Sequence, residues 1–385
     1  MTAQMTPRER VITALAHQEP DQVPIALGGG PYGLVDDLYF KMLDLLQLGD
    51  PVPPFRTGHN ISYMDDRLLE KLQIDTRYVW PGLSPSSPVP SPDNPDKIVD
   101  GFGQPWVRAV PYYYADRGIL VDSTDINDID SLVKWPDTSD PKWTKGVRER
   151  AQALREGTDY FVIARMVTSY GPFQMACSLR GTEQFMIDMT ENPDYAMHLL
   201  ERITDTIVGL LRGYLEAGGA YFDMIELPGD DYAGNTNLVM SPRMFRRFIR
   251  PQLERIVGTI KTFNPNIKVM LHSDGAIEKL LPDLIEIGVD VVHPLEPLPA
   301  MDLDAIKEKY GSQISFLGGI DISHAMPGTK DMVIEEVKTR IRQLAPGGGY
   351  ILAPANHLQA DVPPENVVTL YETARQVGRY PIQIG

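Results

Sequence analysis

The sequence predicts an α/β fold of the (β/α)8, or TIM barrel, class, and three observations carry that prediction. Eight short apolar runs of strand length recur: Val23–Leu27, Thr76–Val79, Phe161–Met166, Phe222–Leu227, Ile267–His272, Val291–Pro294, Ile314–Leu317 and Tyr350–Ala353. Helical patterns separate most of the later runs, as in Pro242–Thr262, Ile277–Ile287 and Asp331–Leu344. Polar residues gather where the runs end. Strand–helix repeats joined by right-handed crossovers build parallel sheets. Eight of them close a barrel whose active site lies at the C-terminal strand ends. An open doubly wound sheet is the alternative arrangement.

The elements follow in order. Thr6-Pro7-Arg8-Glu9 reads as a helix start: Thr6 caps, Pro7 suits the first helical position and Glu9 completes a capping box. Val11, Ala14 and Leu15 then form a helical stripe. Gly28-Gly29-Gly30 follows the first run and lets backbone pass close to a ligand or another loop. Residues 81–145 break the strand–helix rhythm. They are rich in Pro, Ser and Asp, and they hold Trp106 and the Tyr112-Tyr-Tyr114 cluster. We read them as an insertion with short antiparallel strands (Ile98–Gly101, Pro105–Val110, Gly118–Val121), capping the barrel mouth. The aromatics either line a substrate pocket or pack the insertion onto the barrel. Gly288 stops one helix, Pro346-Gly-Gly-Gly349 follows another, and Asp361 with its prolines caps and starts the last. Residues 1–385 thus read as a single barrel domain with one insertion.

Composition narrows the function. The chain has 385 residues, 43% of them hydrophobic, enough for a full core. No apolar run approaches the roughly 18 residues that span a bilayer, and the N-terminus lacks a signal-peptide core. Cys177 is the one cysteine, which excludes an internal disulfide and Cys-rich metal motifs. These features point to the cytoplasm. The net charge of −16 comes without any cluster of Lys and Arg, which argues against nucleic-acid binding.

Five places at strand ends carry chemistry. His272-Ser273-Asp274-Gly275 presents an imidazole and a carboxylate two residues apart, on one face of an extended segment. That pair suits zinc, a catalytic dyad or polar substrate binding. Asn356-His357 ends the last run, and His357 is positioned to complete a metal site with His272 and Asp274. Glu226 through Asp231 gathers Glu226, Asp230 and Asp231 as a general base, metal ligands or binders of a heterocycle; Asn235 lies just beyond. Gly318-Gly319-Ile320-Asp321 permits close ligand approach, with Asp321 as a binder or cap. Arg165, beside the Ser169–Gln174 segment, is a cation for a substrate carboxylate or a salt bridge. We therefore expect His272, Asp274, Asp230 and Asp231 in catalysis. Glu226, Arg165, Asn235, Gln174, Asp321 and Asn356 are expected around the substrate. His293, beside Pro294, is a candidate supporting residue, and His324 lies near Asp321.

At these residues the chain resembles the uroporphyrinogen decarboxylase superfamily over nearly its whole length. The likeness rests on Thr6-Pro-Arg-Glu-Arg-Val11, Arg180-Gly181, Asp230-Asp231, Ser241-Pro242, His272-Ser-Asp-Gly275, Pro282-Asp-Leu-Ile285, Gly318-Gly-Ile-Asp321 and Pro363-Pro-Glu-Asn366, in that order. The resemblance implies a (β/α)8 barrel and one of two chemistries. Decarboxylases of the superfamily act on a tetrapyrrole with eight carboxylates and carry an Arg-rich segment after the first strand. Here that segment is Ala26-Leu-Gly-Gly-Gly-Pro-Tyr-Gly33, without arginine. The other branch transfers methyl groups between a corrinoid protein and an acceptor or donor such as a thiol, tetrahydrofolate or an aryl ether. Its thiol-methylating members hold zinc through His-x-Cys and a later Cys. Asp274 stands in place of the first Cys, and the later position falls near Asn356 or His357. The His-Ser-Asp-Gly version is similar to members linked with O-demethylation. The resemblance thus implies a cobalamin-dependent methyltransferase with cobalamin carried by a separate corrinoid protein; the His/Asp/His set either holds zinc with harder ligands or binds a pterin or aryl ether through hydrogen bonds without a metal. Homodimers are compatible with it. Decarboxylation, and a barrel that only binds a small ligand, are the alternatives.

Overall fold

The computed structural model describes residues 4–56, 59–91, 94–109 and 112–383. In chain order the strands are β1 (Thr76–Val79), β2 (Val89–Ser91), β3 (Asn94–Val99), β4 (Pro105–Ala109), β5 (Tyr112–Ala115), β6 (Phe161–Ala164), β7 (Met224–Glu226), β8 (Lys268–His272), β9 (Val291–His293), β10 (Ser315–Ile320) and β11 (Tyr350–Pro354). They form two sheets. The larger one is parallel, in the order β1-β6-β7-β8-β9-β10-β11, with helices between successive strands. Its strands are apolar on both faces, and β6 and β11 are buried along their whole length. Helices outside and packed side chains inside leave no wet face, so the runs are continuous rather than alternating.

The expected eight strands are seven strands and one bridging segment. Val23–Leu27 joins β11 to β1 without a ladder of its own. Leu352 N–H donates to Pro24 O, Ala26 N–H to Leu352 O, and Asp75 N–H to Ile25 O. Pro24 has no N–H to give, which limits regular pairing. Ile25 N–H turns instead to the Asp75 carboxylate at 2.9 Å. Arg10 braces this closure, reaching Asp21 at 2.8 Å and Asp75 at 2.5 Å. The sheet therefore curls into the expected TIM-barrel-like form.

Local signals held in most places. The Thr6–Glu9 capping box is present, and Gly288 ends the helix Leu281–Ile287 in a left-handed conformation. The helical stretch over Pro242–Thr262 contains a π-helical turn at Phe245–Ile249. Pro251 follows it and cannot donate back up the helix, which accounts for the local change of register. The last helix starts at Pro364 with Pro363, not Asp361, at the cap position.

The second sheet, β2-β3-β4-β5, is antiparallel and forms the inserted cap. Its last strand is Tyr112–Ala115; residues 118–121 form a turn instead of the expected strand. The reason lies in their partners. Leu120 is buried, its N–H donates to Leu179 O, and the Arg180 guanidinium bonds the carbonyls of Leu120 and Ser123. Val110, expected at the end of β4, lies outside the described residues.

Candidate active site

The C-terminal ends of the barrel strands and the cap enclose a cavity of about 360 Å³. Trp106, Tyr113 and Tyr114 of the cap line it, so these three aromatics of the insertion face the site; the Tyr112 side chain lies outside what the structure describes. The Trp106 ring stacks on Tyr170 at 6.1 Å and 9°. The remaining wall divides by charge.

One wall is acidic. β8 runs apolar to its last residue and then delivers His272, whose hydrogen bonds fix its tautomer. His293 Nε2 lies 3.2 Å from Pro354 O, which only accepts, so that nitrogen carries the proton. Burial drives the His293 pKa well down, so its ring is neutral and its Nδ1 is an acceptor. His272 Nδ1, 2.9 Å away, is then the donor. The other ring nitrogen, His272 Nε2, lies 3.7 Å from Asp274 Oδ1 and 3.9 Å from Asp231 Oδ1. Asp231 accepts Gln174 Nε2–H at 2.7 Å and Asp274 N–H at 2.9 Å. Asp274 Oδ2 accepts Asn356 Nδ2–H at 2.7 Å, whereas its Oδ1 is buried without a hydrogen-bond partner. Burial pushes the Asp274 carboxyl up to about 6; His272 opposes that rise, and Asp231 and Glu296 add to it. Gly275 turns the chain away at φ +90°, where a Cβ would meet Ala233 O at 2.6 Å. With two carboxylate oxygens this close, Nε2 calls for a proton on the ring or a cation between the three groups.

Asp231, His272 and Asp274 each offer a ligand atom within 4.8 Å of the others, so the group fits a divalent cation. His357 does not belong to it, contrary to expectation. Its Nδ1 accepts Gly33 N–H at 3.1 Å, which places the proton of the neutral ring on Nε2 and leaves no lone pair for a metal. Asp230 is also displaced from the expected catalytic role. It is buried, and its carboxylate accepts the N–H groups of Phe173 and Gln174, at the start of the helix Pro172–Arg180, and the Tyr232 hydroxyl. Asp230 thereby ties that helix to the strand-end loop that presents Asp231.

A second part of the lining is basic. Arg165, at the end of β6, and Arg56 both line the cavity and lie 5.5 and 5.1 Å from the Phe55 ring. Glu226 ends β7 and is buried, accepting Gly30 N–H and Tyr32 Oη–H, each at 2.6 Å. Arg165 Nε is 4.0 Å from Glu226, too far for a hydrogen bond. The loop's Gly28-x-Gly30-x-x-Gly33 spacing is that of a dinucleotide fingerprint, yet here it wraps a carboxylate. Gly29, at φ +63°, has no room for a Cβ against Glu226 and Tyr32.

Glu226, Arg165, Gln174 and Asn356 therefore reach the cavity as expected. Asn235 is exposed outside it. Asp321 does not line it either; its carboxylate is engaged in a turn, accepting Ser323 and His324 N–H and meeting the His324 ring at 3.1 Å. Arg56, His59 and Asn60 line the cavity without having been singled out. They lie in an aperiodic loop, and only the bare presence of an arginine and a histidine marked them.

A histidine–carboxylate cluster at the C-terminal strand ends of a parallel barrel, under an aromatic cap, is the build of a barrel enzyme. Residues 113–377 match the family model for uroporphyrinogen decarboxylase (URO-D), and the chain belongs to that family. It is 24% identical over 212 residues to a uroporphyrinogen decarboxylase of Syntrophotalea carbinolica, covering 54% of this chain and 57% of that one. A uroporphyrinogen decarboxylase of Crocosphaera subtropica is 24% identical over 185 residues, 48% of each chain. The chain thus spans about half the length of the curated relatives it matches. A solved methyltransferase from Methanosarcina mazei superposes with a TM-score of 0.68 at 19% identity, over 97% of this chain and 99% of that one. At that identity the likeness concerns the fold.

Proposed function

We propose that the chain is a methyltransferase that moves a methyl group between a corrinoid, carried by a separate protein, and a small substrate bound under the cap. The observation that carries this reading is the Asp231–His272–Asp274 group, with three ligand atoms within 4.8 Å of one another and an unpartnered Asp274 Oδ1. Methyl transfer is an in-line displacement. It needs the substrate heteroatom held in line and its developing charge neutralised. His272 and Asp231 line the cavity where such an atom would rest. Asp274, with its carboxyl pushed up to about 6, can hold a proton for a departing oxygen near neutral pH. Gln174 and Asn356 orient the two carboxylates, and the aromatic cap limits water. Zinc would be held by His272 Nε2 and one oxygen each from Asp231 and Asp274, and would supply Lewis-acid neutralisation. With carboxylates where a thiolate would sit, these ligands are hard. That favours an oxygen-bound methyl, as in an aryl methyl ether, over a thiol; tetrahydrofolate is the other partner class. A cytoplasmic setting accords with this reading, and no described helix is long and apolar enough to cross a membrane.

The cavity supports a small substrate. About 360 Å³ is near the low end for drug-sized ligands, about 300–1,000 Å³. A tetrapyrrole with eight carboxylates would ask for more space and more cations. Decarboxylation is the second reading, favoured by the names of the curated relatives. Cob(I)alamin mixed with the protein and a methoxylated aromatic separates the two. Appearance of the methylcobalamin absorbance spectrum supports transfer. Its absence with aryl ethers, and with methyltetrahydrofolate as donor, together with carbon dioxide release from uroporphyrinogen, selects the second reading.

A further inference from the structure

The basic wall holds more hydrogen-bond donors than the protein uses. Arg56 donates from Nε to Ile61 O at 2.6 Å, but its Nη2 is buried with no partner among the described residues. Arg165 Nε is buried and unpartnered in the same way. Asn60, on the same cavity wall, leaves both side-chain atoms without partners. His59 Nδ1 accepts Ile61 N–H at 3.1 Å, as His357 Nδ1 accepts Gly33 N–H. Each neutral ring therefore carries its proton on Nε2. The two rings lie 6.5 Å apart. Burial and the neighbouring arginines drive both histidine pKa values well down, so the rings are neutral donors.

Glu226 is the anion beside Arg165, yet no hydrogen bond joins a carboxylate to either guanidinium among the described residues. The charge of Arg165 disfavours that of Arg56, and both arginines disfavour a charged His357 ring. The nearby anions are otherwise engaged. Asp36 is bonded to the N–H and hydroxyl of Ser62, at 2.6 and 2.9 Å. Glu226 is held by Gly30 and Tyr32 and stays 4.0 Å from Arg165. Buried guanidinium groups without a bonded anion are costly, and their planar forks match a carboxylate. Arg56 and Arg165 also line a neighbouring lobe of about 270 Å³, so both flank the route between two spaces.

We propose that Arg56, His59, Asn60, Arg165 and His357 form a carboxylate subsite, and that the substrate is a small aromatic acid. Its carboxylate lies on this wall, its ring lies against Trp106, Tyr113 and Tyr170, and its reacting group is directed toward His272. The proposal deepens the methyl-transfer reading by naming the substrate class, yet the subsite is a matter of binding alone. It is distinct from an arginine-rich segment after the first strand, which residues 26–33 lack.

Calorimetric titration of the whole protein, without corrinoid, tests it directly. The probes are 4-methoxybenzoate and the uncharged, equally shaped 4-methoxybenzamide. The acid should bind at least about tenfold more tightly than the amide. Arg56→Met and Arg165→Met should each erase that preference and leave amide binding in place. Arg56→Met should melt no lower than the parent, because it removes a buried charge with no bonded anion. Asn60→Asp, which puts a negative charge in the same wall, should abolish acid binding and spare the amide. Equal affinity for acid and amide, no binding of the acid up to about 10 mM, or preference retained in the variants would overturn the subsite. Tight acid binding without methyl transfer would keep the subsite and refute only the proposed reaction.

Discussion

The two walls of the cavity differ in what they lack. The acidic wall, Asp231, His272 and Asp274, crowds three ligand atoms within 4.8 Å and leaves a buried carboxylate oxygen without a donor. The basic wall has donors to spare, on Arg56, Asn60 and Arg165. A structural network would have joined the two surpluses across the cavity. Unpaired donors and acceptors lining one cavity indicate a site built for a ligand that brings a cation or proton to the first group and an anion to the second. Perturbed and unsatisfied groups gathered in a cleft are the physical mark of function.

The largest effect should come from the acidic wall. His272→Ala and Asp274→Ala should each lower turnover by at least about a hundredfold, the upper end of what lost support of a metal costs. Steady-state rates, with zinc content measured alongside, check this. A rise in KM alone, with kcat kept, would place these residues in binding rather than chemistry. Next comes the support behind that wall. His293→Phe removes the acceptor that fixes the His272 tautomer. It should weaken zinc binding about tenfold, within the range for outer partners of a ligating histidine, while leaving acid binding on the basic wall unchanged.

A third effect lies under the acidic wall. Burial raises the Asp230 carboxyl to about 7, against the three donors that favour its anion. In the fold it keeps a proton that the unfolded chain releases near the ordinary carboxyl pKa of about 4. Stability from this group is therefore full below about 4 and falls as pH rises toward 7. The slope approaches about 1.4 kcal/mol per pH unit where only the folded form is protonated. Denaturant unfolding at stepped pH should show this decline, and Asp230→Asn should flatten it. The smallest effect belongs to the cap. Tyr113→Ala should raise KM a few-fold, about 1 kcal/mol, with kcat unchanged. A comparable fall in kcat would instead make the cap part of the chemistry.

The sequence revealed the two walls unequally, for physical reasons. The barrel runs were legible because parallel strands buried on both faces are continuous apolar segments. His272, Asp274 and Asp231 were legible because they sit where those runs stop. The closing segment at Val23–Leu27 read as a full strand, and only the lack of an N–H on Pro24 hinted otherwise. His357 read as a metal ligand because its neighbour in sequence is a strand end; that its Nδ1 is taken by Gly33, 324 residues away, is a tertiary fact. Arg56, His59 and Asn60 lie in a loop without period, and folding alone brings them beside Arg165. Asp321 read as a site residue because it follows two glycines at a strand end; its carboxylate instead holds the turn to Ser323 and His324.

Zinc titration of the metal-free protein tests the central claim, that the cavity is polarised with a cation-holding end at Asp231, His272 and Asp274. The account predicts one zinc per chain in the parent, its loss in His272→Ala, and its retention in Arg165→Met. A parent that binds no zinc, or a His272→Ala variant that binds it as well as the parent, would contradict the account.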